Sequence, residues 1–251
     1  MQFFRFTLRL IALLFSVFLV LPLVVILILV FQKTENRKMN KWVINSWSNL
    51  LCYICGLKVI NKGRIHSNPV LLVANHVTWL DIPVIHSRKL AGFVAKKEIA
   101  SWPLLGLAVK SGETLFIARG QKESRQKVLQ SIKKRLQQGR SIALFPEGKA
   151  TDGTYLGRFH RPLMQAAIEV EKPIQAIAIK YLKRDGTRND EICFIEDEKF
   201  VSNVFRILSL PRSTVELNFC ETIDTKNKSA REVALLTHQQ VSKELARHDY
   251  L

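Results

Sequence analysis

The segment "NPVLLVANHVTWLDIP" (68–83) places an apolar run directly before a group of polar residues. Val70 to Ala74 contains only apolar side chains and follows a proline, a pattern typical of a strand buried on both faces of a parallel sheet. His76 comes directly after this strand, and Asp81 lies five positions later in a turn that leads into a helix. In open α/β sheets, binding sites collect where strands end. The segment therefore predicts a strand–turn–helix unit with candidate functional residues at the strand's carboxyl end.

Strand-like and helix-like segments alternate through the rest of the chain. We predict further strands at 91–97, 114–119, 141–148, 174–181, 192–196 and 214–220. Helices are predicted at 121–139, near 160–171 and at 230–247, and Leu129, Ile132 and Leu136 lie on one face of the first of these. This order predicts an α/β fold with a mixed, largely parallel sheet flanked by helices.

The N-terminus carries an uncharged apolar run of 22 residues, from Leu10 to Phe31, in which only Ser16 is polar. It is long enough to cross the roughly 30 Å hydrocarbon core as a helix. A signal peptide is the competing interpretation, but the run is too long for one and no small-x-small cleavage site follows. Pro22 leaves a kinked or re-entrant helix open. We therefore assign residues 1–33 to a membrane-anchoring helix.

The charges that flank this run predict its orientation. Two cations, Arg5 and Arg9, precede it, and a denser group follows it: Lys33, Arg37, Lys38 and Lys41. Positively charged flanks favour the cytoplasmic side. We expect location in the cell (inner) membrane, with the following domain on the cytoplasmic face.

Residues 34–60 are predicted to form an amphipathic helix at the membrane interface. Val43, Trp47, Leu51 and Ile54 recur at helical spacing, and aromatic rings suit the headgroup level of a bilayer. An ordinary core helix is the alternative. The remaining residues, 61–251, then form the α/β domain.

Composition indicates an anionic partner. The chain has 251 residues, and 38 Lys and Arg against 21 Asp and Glu give a net charge of +17. Beside a membrane, anionic lipid is a natural partner for this charge, and we expect no nucleic acid because its motifs are missing. Cys52 and Cys55 have the spacing of half a zinc site or of a redox pair, but no second C-x-x-C or histidine pair accompanies them. We expect reduced, structural thiols at all four positions: Cys52, Cys55, Cys193 and Cys220.

His76 and Asp81 suit acid–base chemistry. A neutral imidazole accepts a proton from an alcohol, and a carboxylate on its other nitrogen orients the ring. No G-x-S-x-G motif supplies an enzyme nucleophile. The attacking hydroxyl is then the substrate's own, and the reaction is direct acyl transfer. A histidine with a purely structural role after a strand remains the alternative at this point.

Four segments in order resemble the conserved blocks of the glycerolipid acyltransferases, the 1-acylglycerol-3-phosphate acyltransferase group. "NHVTWLD" (75–81) resembles the N-H-x-x-x-x-D block, and "GETLFIARG" (112–120) resembles G-x-x-F-I-x-R. "FPEG" (145–148) resembles the start of F-P-E-G-T-R-S, and "KPIQAIAI" (172–179) the fourth, proline-led block. The resemblance covers about residues 70–179. It implies an acyltransferase that acts on a lysophospholipid.

The resemblance also implies roles for single residues. His76 would be the general base, Asp81 its orienting partner, and Asn75 would help to shape the turn. The donor would be acyl-CoA or acyl-ACP as a co-substrate, with no cofactor and no metal. A basic helical face could dock either donor: Lys122, Arg125, Lys127, Lys133, Lys134 and Arg135.

The acceptor site by this resemblance contains Arg119, which would bind an anionic head group, together with Glu147 and Gly148. The family's usual Thr-Arg-Ser after Glu-Gly is replaced by Lys149-Ala150-Thr151, so Lys149 joins the acceptor candidates. Lysine is a flexible point charge and not a planar fork. Lysophosphatidic acid (1-acylglycerol-3-phosphate) is the first expected acceptor, and a lyso-ornithine lipid is the alternative.

Two other classes of function stay open at this stage. One is a non-catalytic membrane protein that binds anionic lipid through its charge. The other is a metal-dependent hydrolase with His76, Asp81 and His86 as ligands, although that spacing suits no common site.

His160 and Arg161 are further candidates for contact with the acceptor's head group.

Overall fold

A computed structural model describes residues 2–101, 114–118, 122–195 and 198–246. Within these ranges the strands are β1 (Leu57–Gly63), β2 (Leu71–Ala74), β3 (Gly92–Lys96), β4 (Leu115–Ile117), β5 (Ile142–Leu144), β6 (Ile174–Leu182) and β7 (Ser213–Ile223). They form one sheet in the order β1-β7-β6-β2-β5-β3-β4. Neighbours are parallel except for the antiparallel pair β6–β7. The predicted fold class is confirmed.

The α-helices lie on both faces of this sheet and before it. They are α1 (Gln2–Phe15), α2 (Leu21–Lys33), α3 (Arg37–Ile54), α4 (Asp81–His86), α5 (Lys122–Gln137), α6 (Gln165–Glu169), α7 (Phe200–Ser209) and α8 (Ala230–Ala246). Short 3-10 helices cover Lys97–Ser101, Pro162–Met164 and Asp190–Ile192. The helix predicted near 160–171 is thus a 3-10 turn followed by the short α6.

The two faces of the central strands bury separate apolar clusters. Every residue of β2 is buried, and alternate side chains enter opposite clusters. Leu72 packs on the face that also holds Leu51 and Leu80, whereas Leu71 packs with Ile132 of α5. Apolar side chains on both faces of a strand are the pattern of a sheet covered by helices on both sides. This packing fixes the carboxyl ends of β2, β5 and β6 beside one another.

The N-terminal run is one long helical rod from Gln2 to Lys33, and it is apolar and long enough to cross a membrane. A π-helical turn at Ser16–Val20 joins α1 to α2 just before Pro22. Proline lacks an N–H and its ring crowds the preceding turn, and the wider π turn accommodates both effects.

The helix that follows the rod packs on the domain. The buried face of α3 includes Val43, Ile44 and Leu51, whereas Trp42 and Tyr53 are exposed. The helix ends at Ile54, because β1 begins at Leu57 and pairs with β7. The boundary predicted at residue 60 falls inside β1.

Other local predictions also differ from the structure, and two elements were not predicted. The strand predicted at 192–196 does not form in its described part: residues up to Ile192 belong to a 3-10 helix, and Phe194 N–H donates to the carbonyl of Val77 at 2.8 Å. Strand β1 and helix α7 were not predicted. The strand predicted at 114–119 is shorter, Leu115–Ile117, within the described residues.

Candidate active site

His76 and Asp81 meet at the carboxyl end of β2. The Nδ1 atom of His76 lies 2.7 Å from Oδ2 of Asp81, which is the first residue of α4. The Asp81 side chain is fully buried, whereas 21% of the His76 side chain is exposed. Sequence reasoning placed these two groups together, and the structure does so as well.

Asp81 accepts from three donors besides its contact with His76, which determines the tautomer of His76. Backbone N–H groups of Val77 and Thr78 donate to Oδ2 at 2.9 and 3.1 Å, and the Tyr181 hydroxyl donates to Oδ1 at 2.8 Å. A carboxylate surrounded by donors acts only as an acceptor. The Nδ1 atom of His76 therefore carries the proton, and Nε2 keeps a lone pair that can accept one.

Asn75 joins the ends of two strands. Its Nδ2 donates to the carbonyl of Ile179 at 3.1 Å, and its Oδ1 accepts from Ile179 N–H at 2.8 Å. The side chain is buried and extends the β2–β6 pairing by one amide. Asn75 thus holds the start of the turn that carries His76.

Glu147 contacts the same turn through its backbone. Its Oε1 accepts from His76 N–H at 2.9 Å, and its Oε2 accepts from Gly157 N–H at 2.8 Å. Burial raises the pKa of the Glu147 carboxyl, and the two N–H groups offset part of that effect. A Cβ at position 157 would lie 2.7 Å from Oε2, so a side chain there would displace the Glu147 carboxylate.

An aromatic ring and a tight turn complete the wall behind His76. The Phe145 ring stacks on the imidazole with centroids 4.1 Å apart and planes 13° apart. Gly148 has φ +77° and its N–H donates to the carbonyl of Phe145 at 3.1 Å. This left-handed conformation favours glycine. Position 148 therefore turns the chain back so that Thr151 N–H reaches the carbonyl of His76 at 2.9 Å.

Comparisons with known proteins agree with this arrangement. The Acyltransferase family model matches residues 56–180. The lyso-ornithine lipid O-acyltransferase of Pseudomonas aeruginosa is 34% identical over 205 residues, which cover 82% of this chain and 77% of that protein. The 1-acyl-sn-glycerol-3-phosphate acyltransferase of Neisseria meningitidis is 31% identical over 193 residues, 76% of this chain and 75% of that protein.

The chain belongs to the acyltransferase family. Its fold is also that of a solved relative, the 1-acyl-sn-glycerophosphate acyltransferase of Thermotoga maritima, with a TM-score of 0.72 over 98% of this chain and 99% of that one at 18% identity. The protein is an acyltransferase of the lysophospholipid type. Its N-terminal apolar helix and its membrane-lipid acyltransferase relatives indicate association with a membrane.

Exposed basic side chains follow the Gly148 turn in the chain. Lys149, Arg158, His160 and Arg161 are exposed on the segment between Gly148 and α6. His160 lies next to Gly148, since its Cδ2 atom is 3.8 Å from where a Cβ at position 148 would be. Arg119, predicted to bind the head group, lies outside the described residues.

Other candidate residues do not join the site. Nε2 of His86 is 2.8 Å from the carbonyl of Ala91, and its ring packs edge-on against Phe93. Burial lowers the pKa of this imidazole. Within the described ranges, no group of three or more His, Cys, Asp or Glu side chains is placed to hold a metal ion. The cysteines are free thiols, and burial raises the pKa of Cys52 to about 12.

Sequence reasoning did not identify Tyr181, Phe145 or Gly157 as parts of the site. A tyrosine inside the apolar strand "AIAIKYL" is a usable signal, because a buried hydroxyl needs a partner. The stacking of Phe145 and the contact to Gly157 carry no comparable signal, because both depend on how the chain turns after Leu144.

Proposed function

We propose that this acyltransferase transfers a fatty acyl group from a thioester donor to the free hydroxyl of a lysolipid, with His76 as the general base. The observation that carries this proposal is the 2.7 Å contact between His76 Nδ1 and the buried Asp81, which leaves Nε2 as the accepting atom. The His76 side chain is 21% exposed, and the proposal has a substrate hydroxyl approach its Nε2 atom.

The proposed reaction has two steps. Nε2 takes the proton of the acceptor hydroxyl while that oxygen attacks the thioester carbonyl carbon, and the carbonyl electron pair moves to its oxygen. The tetrahedral intermediate then reforms the carbonyl, the C–S bond breaks, and the thiolate takes the proton from Nε2. Asp81 stabilises the imidazolium between the two steps. No covalent acyl-enzyme is formed.

The first candidate acceptor is 1-acylglycerol-3-phosphate, with phosphatidic acid as the product. The exposed Lys149, Arg158 and Arg161 follow the Gly148 turn, which we propose as the entrance of the site, and they favour an anionic head group; a phosphate monoester carries the most charge. Glu147 and Gly148 shape this entrance through the backbone contacts described above. Arg119 follows β4 in the chain and is proposed to contribute to head-group binding.

Lyso-ornithine lipid is the second candidate acceptor. The similarity to the lyso-ornithine lipid O-acyltransferases of Pseudomonas aeruginosa and Rhizobium meliloti favours it. The family's usual Thr-Arg-Ser after Gly148 is replaced by Lys149-Ala150-Thr151, and this difference also favours an acceptor with another head group. Its carboxylate can also use a cationic entrance.

The donor in this proposal is acyl-CoA or acyl carrier protein, both of which are anionic. Helix α5 buries Leu129, Ile132 and Leu136 and exposes Arg125, Lys127 and Lys134. Lys133 on the same helix pairs with Glu169 at 2.6 Å. We place the enzyme at the cytoplasmic face of the cell membrane, where both donors are available.

The test uses purified enzyme in detergent micelles with an acyl thioester and each lysolipid in turn. We expect His76→Ala to lose at least about 100-fold in turnover, the range that a general base contributes. His66→Ala is the matched control and should retain activity, because the described hydrogen bonds of His66 use its backbone. Full activity of His76→Ala would remove the mechanism. A large preference for lyso-ornithine lipid would replace the first acceptor by the second.

A further inference from the structure

Tyr181 contacts the one oxygen of Asp81 that His76 does not use. Its hydroxyl donates to Oδ1 at 2.8 Å, whereas Oδ2 accepts from His76 Nδ1 and from two backbone N–H groups. Tyr181 is 1% exposed, and its ring belongs to the apolar cluster on the α4 face of the sheet. Its hydroxyl is therefore a polar group within an apolar layer, directed at a buried carboxylate.

The position of Tyr181 is fixed by the sheet on both sides. It lies on β6, opposite Val215 of the antiparallel β7, and its carbonyl accepts from Asn189 N–H at 2.8 Å. Two residues earlier on the same strand, Ile179 pairs with the Asn75 side chain. The same strand thus holds the residue before His76 and supplies the donor to Asp81.

We propose that Tyr181 is a positioning residue that acts on His76 through Asp81. A hydroxyl on Oδ1 withdraws charge from the carboxylate and fixes its plane, so that Oδ2 faces Nδ1. Without this donor, the carboxylate carries more negative charge and stabilises the protonated form of its imidazole partner more strongly. The imidazole would then stay protonated to higher pH and be less available as a base. This inference rests on the proposed function.

Two other titratable groups, Glu147 and Cys193, lie near the His76–Asp81 pair. Glu147 accepts from the backbone of His76, and the Cys193 thiol lies near Asp81 on the segment after the last 3-10 helix. Burial raises the pKa of Cys193 to about 12, so this thiol stays neutral in the working range. Tyr181→Phe changes neither group and removes one oxygen atom.

The experiment compares Tyr181→Phe with wild type in kcat, acceptor KM and the pH profile of kcat/KM. We expect kcat to fall about tenfold, because the plane of the Asp81 carboxylate is no longer fixed. The acidic limb should move up by roughly half a pH unit, because the charged carboxylate loses a hydrogen-bond donor. The acceptor KM should not change, since the hydroxyl is buried away from the entrance. The matched control is Tyr53→Phe, which removes the same atom from an exposed ring on α3.

A second variant tests the route through Asp81. In an Asp81→Asn background, Tyr181→Phe should change single-turnover product formation less than twofold, because the charged carboxylate is already gone. If the hydroxyl is merely structural, Tyr181→Phe lowers thermal stability and leaves the acidic limb unmoved, and the losses of activity from Tyr181→Phe and Asp81→Asn multiply in the double variant. That result would overturn the inference. If Tyr181→Phe fails to fold, 3-fluorotyrosine at position 181 replaces it. This stronger donor should move the acidic limb to lower pH, and an unmoved limb would also overturn the inference.

The two proposals fail separately. Activity retained by His76→Ala removes the general-base mechanism itself. An inactive His76→Ala together with a Tyr181→Phe profile that overlays the wild-type profile leaves the mechanism intact and removes only the role of Tyr181.

Discussion

Glu147 is the residue whose contacts differ most from its implied role. The family resemblance places it in the acceptor pocket, but both carboxylate oxygens accept backbone N–H groups, one from His76 and one from Gly157. We therefore expect Glu147 to act on the acceptor through the position of these two segments. A carboxylate suits this task because it presents two acceptors and no donor.

Glu147→Gln should lower turnover more than acceptor binding. The amide nitrogen would face a backbone N–H, and a buried donor left without a partner costs roughly 1–3 kcal/mol, so we expect kcat to fall by about 10–100-fold. Steady-state kinetics with varied lysolipid measures this, and Glu169→Gln on α6 is the surface control. A large rise in KM at unchanged kcat would instead indicate direct contact with the acceptor.

The ionisation of Glu147 should also appear in the pH dependence of stability. Burial raises its pKa in the folded state above the unfolded value. Its contribution to stability is then fully present below the ordinary glutamate range and is lost as the pH rises through the raised pKa. As the pH rises, the thermal midpoint of wild type should therefore fall relative to that of Glu147→Gln, which cannot ionise. A difference that is constant from acidic to neutral pH would contradict this.

At the residue scale, local contacts could be predicted and distant ones could not. His76 and Asp81 are five residues apart across a strand–helix turn, so their spacing alone brings them together. The Tyr181 hydroxyl meets Asp81 from 100 residues away because β6 lies beside β2. The order of strands in a sheet is set by the packing of the whole domain, and the sequence pattern of one strand does not contain it.

Among the elements, α7 connects the turn that carries His76 with the N-terminal helix. At one end, Oδ1 of Asn203 accepts from the Trp79 indole N–H at 2.9 Å. At the other end, Arg5 donates to the carbonyl of Ser209, and Arg9 donates to that of Leu210 at 2.7 Å. Cations at a helix C-terminus are favoured by its unpaired carbonyls and dipole. Trp79 belongs to the motif that carries His76, so α7 supports this motif.

Asn203→Ala should destabilise the protein and slow the reaction. The substitution removes the partner of Trp79 and two further contacts, to the Cys193 carbonyl and to Glu198, both at 2.9 Å. A buried donor left unpaired costs roughly 1–3 kcal/mol, and in a protein of this size the thermal midpoint falls by about 2–4 °C per kcal/mol. Thermal unfolding in micelles and product formation are the measurements. The exposed Ser202→Ala on the same helix is the control, and an unchanged midpoint in Asn203→Ala would contradict the role of α7.

Elements that pack on several neighbours were the hardest to predict. Helix α7 is short and carries only Asn203, Ile207 and Leu208 as buried residues, so its periodicity is brief. Strand β1 has a mostly exposed pattern because it lies at the edge of the sheet. The long apolar strands and the regular face of α5 were predicted because burial alone determines their patterns.

For the whole molecule, the N-terminal rod lies against the domain along much of its length. Arg5 and Arg9 hold its first half to α7, and Phe6 packs edge-on against Phe205. In its second half, Val24 and Ile28 pack with Val43 and Ile44 of α3. The opposite side of the rod exposes a stripe of large apolar residues at helical spacing: Phe4, Leu8, Ile11, Phe15, Leu19, Leu23, Ile26 and Leu29.

This packing predicts that both ends of the rod lie on the same side of the membrane as the catalytic domain. A 32-residue helix is about 48 Å long and could cross a bilayer, but crossing would require it to leave α7 or α3. A rod that stays packed on α7 and α3 keeps its exposed apolar stripe in contact with lipid along its length.

Cysteines at the two ends of the rod test this. We expect Gln2→Cys and Glu35→Cys, each in a Cys220→Ser background, to react with a membrane-impermeant maleimide added from the domain side of sealed vesicles. The three remaining cysteines are buried and should stay unlabelled, which the parent without an added cysteine verifies. Labelling of position 2 only after the opposite side is opened would mean that the helix crosses the bilayer. In that case Arg5 and Arg9 could not reach the carbonyls of α7, and the support that α7 gives to Trp79 would be independent of the membrane helix.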